Sequence, residues 1–557
     1  MFIVNTKHLQ PKLFSTISQL PEKQRKMLEV SWADTFYREV FCRIKEETFS
    51  VLYSESPSRP NVPVNLLVGL EILKAGYGWS DAELIEHYYF DIQVRYALGY
   101  DQLGDGDFAI RSLYYFRERL SKYYLKTGIN LLDVVFEDVN DAQIEDLAVR
   151  TGMQRMDSTQ IASNIVNASR LRLLVESIRR TYRILSESDK KRLEESYAPY
   201  LKGSSGQYTY RVKGQDANRK HLQQVGISMD GLLAELEEAY AEEKAYQVLK
   251  RIFTENFKVV EKKINPKEKE EICSGSLQSV DDLEASYRTK ANKHYKGYVA
   301  NITETCDPEN DLQLITKVQV EPNNVDDDQM LADALPTLKK RTDIKKAIVD
   351  GGYGGEASDK LAEDLSVEIV TTAIRGAKPN PNRFHLADFD IQQDEEGEPT
   401  KITCPHGQTV DVKLARTMGR QGRFDSKICA ECPFKESGRC PVEQQKRDPR
   451  PVISFTLKEL RSAKRRKAYL AHTKDEKNLR AASEATMRSA KHPFPGGKLP
   501  VREKFRITSM MISSAIHINM RRIWKYETNI PLFKFLYCFF LRNNTLFFHH
   551  REIVCLK

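Results

Sequence analysis

Three carboxylates far apart in the chain, Asp157, Asp350 and Glu484, stand where the local pattern can aim each of them at a shared ion. Carboxylate oxygens are hard donors, so a set built from them suits Mg²⁺ rather than a soft metal. Such a set serves hydrolysis and transfer at phosphate esters, where charge builds on the leaving oxygen. Number alone carries nothing here, because the chain of 557 residues holds 78 Asp and Glu. Context carries more. Asp157 lies in Arg155-Met156-Asp157-Ser158-Thr159-Gln160-Ile161, whose alternation predicts a strand, and Asp350 ends the apolar run Ala347-Ile348-Val349 before Gly351-Gly352-Tyr353-Gly354-Gly355. Arg480, Glu484 and Lys491 fall at i, i+4 and i+11, which keeps them near one helical face.

The elements needed to position these groups follow in order. Residues Gly297 to Thr303 and Leu312 to Glu321 alternate as strands and are separated by the turn-rich Cys306 to Asp311. Asp326 to Lys340 predicts a helix with Met330, Leu331, Ala334, Leu335 and Leu338 inward and Pro336 inside it, leading into the Asp350 strand. A helix over Glu356 to Leu365 and a strand over Val367 to Ile374 follow, until Gly376, Pro379 and Pro381 break the pattern. A long strand with the first Asp, two antiparallel strands, a helix, a strand with the second Asp and a later helix with the last carboxylate is the order of an RNase H-like domain.

The chain resembles the DDE transposases of bacterial insertion sequences, of the IS-eleven-eighty-two type. The pieces that carry the resemblance are Met156-Asp157-Ser158-Thr159, Lys293-His294-Tyr295-Lys296-Gly297-Tyr298, Glu321-Pro322-Asn323-Asn324-Val325-Asp326-Asp327, Val349-Asp350-Gly351-Gly352-Tyr353 and Arg480-x3-Glu484-x6-Lys491. The last is similar to the family's Tyr-x2-Arg-x3-Glu-x6-Lys signature and departs from it at Lys477, where the tyrosine would stand. The resemblance implies an α/β RNase H-like catalytic domain with a helical insertion, preceded by an all-α, helix-turn-helix-like domain. The corresponding boundaries are 1–145 for the helical DNA-binding domain, 146–526 for the catalytic domain with its insertion at about 168–285 and a Cys-rich part at about 400–445, and 527–557 for a tail.

It also implies roles. Asp157 would bridge two Mg²⁺ ions about 4 Å apart, with Asp350 and Glu484 completing one site each, in either assignment. Arg480 and Lys491 would hold phosphates of the element end, Lys296 and Tyr298 would meet the backbone from the second strand, and the partners would be the element's terminal repeats, target DNA and a second copy of the chain in a synaptic complex. The implied activity is hydrolytic nicking at element ends and transfer of the freed 3′-hydroxyl into target DNA. A catalytically inactive DNA-binding remnant or regulator is the alternative, and a stand-alone structure-specific nuclease is a third reading. The N-terminal and insertion regions exceed what plain hydrolysis needs.

Elsewhere the residues leave choices open. Leu66, Leu70 and Leu73 form an apolar stripe, Ser80-Asp81-Ala82-Glu83 fits a capping box, and a helix from Asp107 would turn Leu113, Phe116 and Leu120 inward with Arg111, Arg117 and Arg119 outward. A DNA-binding helix-turn-helix and an ordinary bundle with a solvated basic face both fit this. Leu171 to Tyr197 and Met229 to Lys263 read as charged helices around a flexible joint at Lys202 to Gly206, either a DNA clamp or assembly element or a solvated hairpin. Of nine cysteines, Cys404, Cys429, Cys432 and Cys440 have spacing that suits a structural Zn²⁺, with His406 as a competing ligand and free buried thiols as the other option. With 86 Lys and Arg the net charge is only +8, and basic clusters stand at Arg461 to Lys467 and Arg521-Arg522. No secretory signal opens the chain, and the Phe-rich Leu532 to His550 is interrupted by Lys534, Arg542 and Asn543, which predicts a cytoplasmic, nucleoid-associated protein without a membrane span. That tail could pack on the body, bind a partner or be dispensable.

Overall fold

The computed structural model describes residues 1–529 except 11–14, 55, 57–58, 167, 262, 291, 374–379, 416–418, 446–447 and 473–478. Lys477 and the Leu532 to His550 tail therefore lie outside the described residues. The chain opens with helices α1 (Glu22–Glu29), α2 (Trp32–Glu39), α3 (Val64–Tyr77), α4 (Asp81–Phe90), α5 (Ile92–Ala97), α6 (Ile110–Thr127) and α7 (Leu131–Asp146). The Ser80–Glu83 capping box starts α4 as its residues predict, with both reciprocal bonds made. Helix α6 begins at Ile110 rather than Asp107, because Asp107 instead accepts a bond from the Tyr89 hydroxyl.

A mixed α/β part follows. Strand β1 (Met153–Ile161) leads into helices α8 (Arg170–Arg183), α9 (Glu187–Leu201), α10 (Ser205–Arg211), α11 (Gln215–Tyr240) and α12 (Lys244–Asn256), then the hairpin β2 (Phe257–Val260) and β3 (Lys263–Pro266). The expected helix through Lys263 is thus corrected: it stops at Asn256, and Val259 pairs with Ile264 across a hairpin. The joint at Lys202 to Gly206 is a short turn, since Ser204 caps α10 with a complete capping box.

The chain then returns to the sheet through β4 (Ser286–Lys290), β5 (Lys293–Thr305), β6 (Ile315–Pro322), α13 (Asp327–Arg341), β7 (Lys346–Val349), α14 (Glu356–Asp364) and β8 (Glu368–Thr371). In space β1 is flanked by antiparallel β5 and parallel β7, β8 pairs parallel with β7, and β4 and β6 both pair with β5. Pro336 is accommodated inside α13. A second sheet, β9 (Asp390–Gln393), β10 (Pro399–Thr403), β11 (Thr409–Leu414), β12 (Arg420–Arg423), β13 (Glu443–Gln445) and β14 (Asp448–Phe455), carries the short helices α15 (Ser426–Ala430) and α16 (Pro433–Glu436). The last described elements are α17 (Leu457–Ala471), α18 (Ser483–Lys491) and α19 (Lys504–Asn529).

Alternation along β1 sorts its two faces. Met156 joins Ala347, Val349, Leu331, Leu335 and Leu338 in one apolar cluster under α13 and α14. Ile161 joins the opposite cluster, in which α19 packs with strand residues Ile302, Ile315 and Val318 and with the core of α2, α3 and α6. The N-terminal helices therefore share one continuous core with the sheet and α19. Helix α3 crosses α19 so closely that a Cβ on Gly76 would stand 2.1 Å from the buried His517 ring. Among the described residues, no helix is long and apolar enough to cross a membrane.

Candidate active site

Asp157 and Asp350 come together because their strands are neighbours. The parallel pairing sets Arg155 opposite Ile348, so two residues further on Asp157, midway along β1, and Asp350, just past the carboxyl end of β7, stand side by side. Asp157 is only 9% exposed. Its Oδ1 accepts from the Ser158 amide at 2.9 Å, and its Oδ2 accepts from Arg480 Nη1 at 3.0 Å and Ser483 Oγ at 3.1 Å. Burial raises the Asp157 carboxyl above its ordinary value; Arg480 and the two hydrogen bonds oppose this, and the nearby Asp350 adds to it. Asp350 caps the turn Gly351–Tyr353, accepting the Gly352 amide at 2.6 Å.

Helix α18 lies over this part of β1. Ser483 holds Asp157, Thr486 donates to buried Glu304 at 2.8 Å, and Lys491 Nζ donates to Thr159 Oγ1 at 2.6 Å. Arg480 and Lys491 are thus tied to β1 side chains two residues apart, and burial lowers the Lys491 ammonium. Glu484 sits between them in sequence, in the first turn of α18, with its side chain exposed. Among the described residues, no three His, Cys, Asp or Glu side chains converge closely enough to enclose an ion. Asp157 and Asp350 nevertheless fit Mg²⁺ in kind: the donors are all oxygen, and the Arg480 guanidinium already stands as a cation on Asp157 Oδ2.

The other expected DNA contacts fare differently. Tyr298 is corrected: it is 0% exposed, pairs its hydroxyl with Asp282, and is closed to a phosphate. Lys296 is half-buried, with Nζ on the Ala168 carbonyl at 2.7 Å, and burial lowers its ammonium. Arg117 does not face outward: it is held by Glu71 at 2.6 Å and by Asp81 at 2.7 Å, which spends its donors inside the helical region. Arg111 is exposed on α6. In the Arg461 to Lys467 cluster, Arg461 and Lys464 pair with Glu363, Arg465 with Asp359 and Lys467 with Asp390, so most of that charge is neutralised in place. Ser483, Thr486, Arg155 and Glu304 were not foreseen. Arg155 donates to Glu304 at 2.7 Å, and Arg522 reaches the same carboxylate at 2.8 Å; nothing in the local sequence of Glu304 marks it as the centre of that network.

In the second sheet, Cys404 forms a tight turn with Gly407, and Cys429 and Cys432 a second one. Burial raises the Cys429 thiol, Lys435 opposes this, and Cys440, Cys404 and Cys432 add to the rise; among the described residues the cysteines do not form a closed metal set. His406 stacks edge-on against Phe434, 6.1 Å between ring centres.

Residues 272–520 match the family model described as a transposase DDE domain, which supports a DDE transposase. The span includes Asp350, Glu484 and α18, and Asp157 joins it through strand pairing rather than through the match. No curated protein matches the chain, and no solved structure does.

Proposed function

We propose that this chain is an insertion-sequence DDE transposase of the IS-eleven-eighty-two type, which nicks the ends of its element and joins the freed 3′-hydroxyl to target DNA. The observation that carries the reading is that adjacent parallel strands bring Asp157 beside Asp350, beneath α18 with Glu484 and Lys491 and the 3-10 turn Leu479–Ala482 with Arg480. The strand order from β6 through β5, β1 and β7 to β8 supports an RNase H-like catalytic fold. Asp157, Asp350 and Glu484 would hold Mg²⁺, the last from its exposed place in the first turn of α18. When bound, the ions supply Lewis-acid stabilisation of the charge that develops on the reacting phosphoryl oxygens. Arg480 and Lys491 position a phosphate beside the Asp157–Asp350 pair, while Arg111 and Lys296 extend the contact surface. DNA ends and a second copy of the chain are the partners, in the nucleoid. Cys404, Cys429, Cys432 and Cys440 would hold a structural Zn²⁺.

Incubating the purified chain with labelled element-end DNA and Mg²⁺ tests this. Nicked and strand-transferred products are expected from the natural chain, and none from Asp157→Asn, Asp350→Asn or Glu484→Gln, each of which retains end binding. A natural chain that binds ends yet never cuts them would instead be an inactive regulator. A triad variant that cuts normally would remove its residue from the site.

A further inference from the structure

A fourth carboxylate stands beside the pair. Asp327 opens α13, is 7% exposed, and leaves its Oδ1 buried without a hydrogen-bond partner. Its Oδ2 reaches Arg288 Nη2 only at 3.5 Å, the outer limit of a hydrogen bond. The helix N-terminus and that distant guanidinium explain a negative charge at this place. They do not explain a buried oxygen with no partner, which costs free energy unless something else satisfies it.

What this carboxylate faces through its other oxygen, Oδ2, is indicated by Gly352. A Cβ built there would lie 2.9 Å from Asp350 Oδ1 and 3.2 Å from Asp327 Oδ2, so the two carboxylates face one small space that a side chain would fill. Two carboxylates from separate elements, one after β7 and one at the start of α13, therefore converge on one space. Mg²⁺ keeps several waters and commonly takes only one or two protein carboxylates, so this pair is a sufficient oxygen set. We propose that Asp327 is a ligand of the divalent cation held by Asp350, the two carboxylates gripping one ion beside Gly352. The inference rests on the metal-dependent reading given above.

The test measures metal binding rather than turnover, using Mn²⁺ as a paramagnetic probe titrated into the full-length chain without DNA. The natural chain is expected to take up Mn²⁺, and the near-isosteric Asp327→Asn to bind it at least roughly tenfold more weakly, alongside Asp350→Asn. Gly352→Ala keeps both carboxylates but places a methyl between them, and is expected to weaken Mn²⁺ to a similar extent. Circular dichroism checks that each variant is folded; if Asp327→Asn is not, Gly352→Ala decides. Unchanged Mn²⁺ affinity in the folded Asp327→Asn, or in Gly352→Ala, overturns the assignment, as does a natural chain that takes up no Mn²⁺. A natural chain that binds Mn²⁺ through Asp327 and fails to cut element ends would sink the transposase reading and leave this assignment standing. One that cuts, with Asp327→Asn binding Mn²⁺ normally, would do the reverse.

Discussion

At the scale of single residues, the cations beside Glu484 have a use that sequence spacing expressed only in part. Spacing put Arg480, Glu484 and Lys491 near one helical face, and an i, i+4 pair of Arg480 with Glu484 that only steadies the helix would fit the same spacing. The structure gives Arg480 a different partner, Asp157 at 3.0 Å, and gives Lys491 the Thr159 hydroxyl at 2.6 Å. Both cations therefore rest on β1 beside the Asp157–Asp350 pair, and each can exchange a protein oxygen for a phosphate oxygen. Arg480→Ala and Lys491→Ala are each expected to weaken binding to element-end DNA and to reduce the slope of log affinity against log salt by about one, because one fewer counterion is released per lost phosphate contact. Affinity measured across a salt series checks this. An unchanged slope in both, with only a loss of thermal stability, would leave the two cations as structural props of Asp157 and Thr159. The elements that carry Asp157, Asp350 and Glu484 were legible because each has a clear pattern; the contacts of Glu304 and Ser483 were not, because they exist only after β1, β5 and α18 meet.

At the scale of elements, regular periodicity was read well and one hairpin, β2–β3, was not. Helix α13, expected over Asp326 to Lys340, spans Asp327–Arg341, and the strand pair around Cys306 to Asp311 is present as β5 and β6. The β2–β3 hairpin was missed because Val259, Val260 and Ile264 continue an apolar spacing that a helix also satisfies, and only Glu261 at positive φ (48°) marks the turn. The second sheet was visible only through its cysteines, since its strands are short and largely exposed. Its apolar cluster is small, with Phe389, Ile402, Phe424, Val442, Ile453, Phe455 and Leu460 buried and three of the four cysteines packed against it. A core of that size gains from a metal clip. Purified chain is expected to carry about one Zn²⁺, the count of a four-thiolate site, and to lose thermal stability when a chelator removes it or when Cys432→Ser breaks the set. Elemental analysis after purification without chelator decides: no zinc, with an unaltered melting curve for Cys432→Ser, would mean free thiols.

At the scale of the whole molecule, the boundary drawn at residue 145 describes the chain less well than the boundary of the insertion. The N-terminal helices bury Phe36, Leu66, Leu70 and Phe116 in the cluster that also holds Met511, Ile512 and the strand residues Ile302 and Val318, so the first and last helices close one body. Sequence reading separated them because a contact between α3 and α19 spans more than 400 residues and leaves no local trace. The insertion differs. Leu174, Ile178, Val225, Met229, Leu232, Leu249 and Ile252 form a cluster of their own, apart from the sheet. Its two ends also meet: the Ala168 carbonyl accepts Lys296 Nζ, Lys296 pairs with Tyr287 across β4 and β5, and the Tyr287 amide donates to the Ser274 carbonyl. Both stumps thus reach one place on β5, and roughly five Gly or Ser residues, at about 3.3–3.6 Å each when extended, bridge them. Replacing 170–272 by such a linker is expected to leave a folded chain that unfolds cooperatively, with a midpoint lowered by roughly 2–4 °C for each kcal/mol lost. The loss comes from uncovering Leu277, Val280 and Leu283 and from breaking the Arg180–Asp281 pair. Calorimetry and circular dichroism check the fold, and end-DNA binding and oligomeric state of the same shortened chain separate the three uses left open for the insertion. A folded chain that no longer holds DNA makes the insertion a clamp, one that binds DNA but no longer self-associates makes it an assembly element, and one unchanged in both makes it a solvated appendage. An aggregated product that does not refold would show that its core stabilises the sheet and that the two clusters are one folding unit.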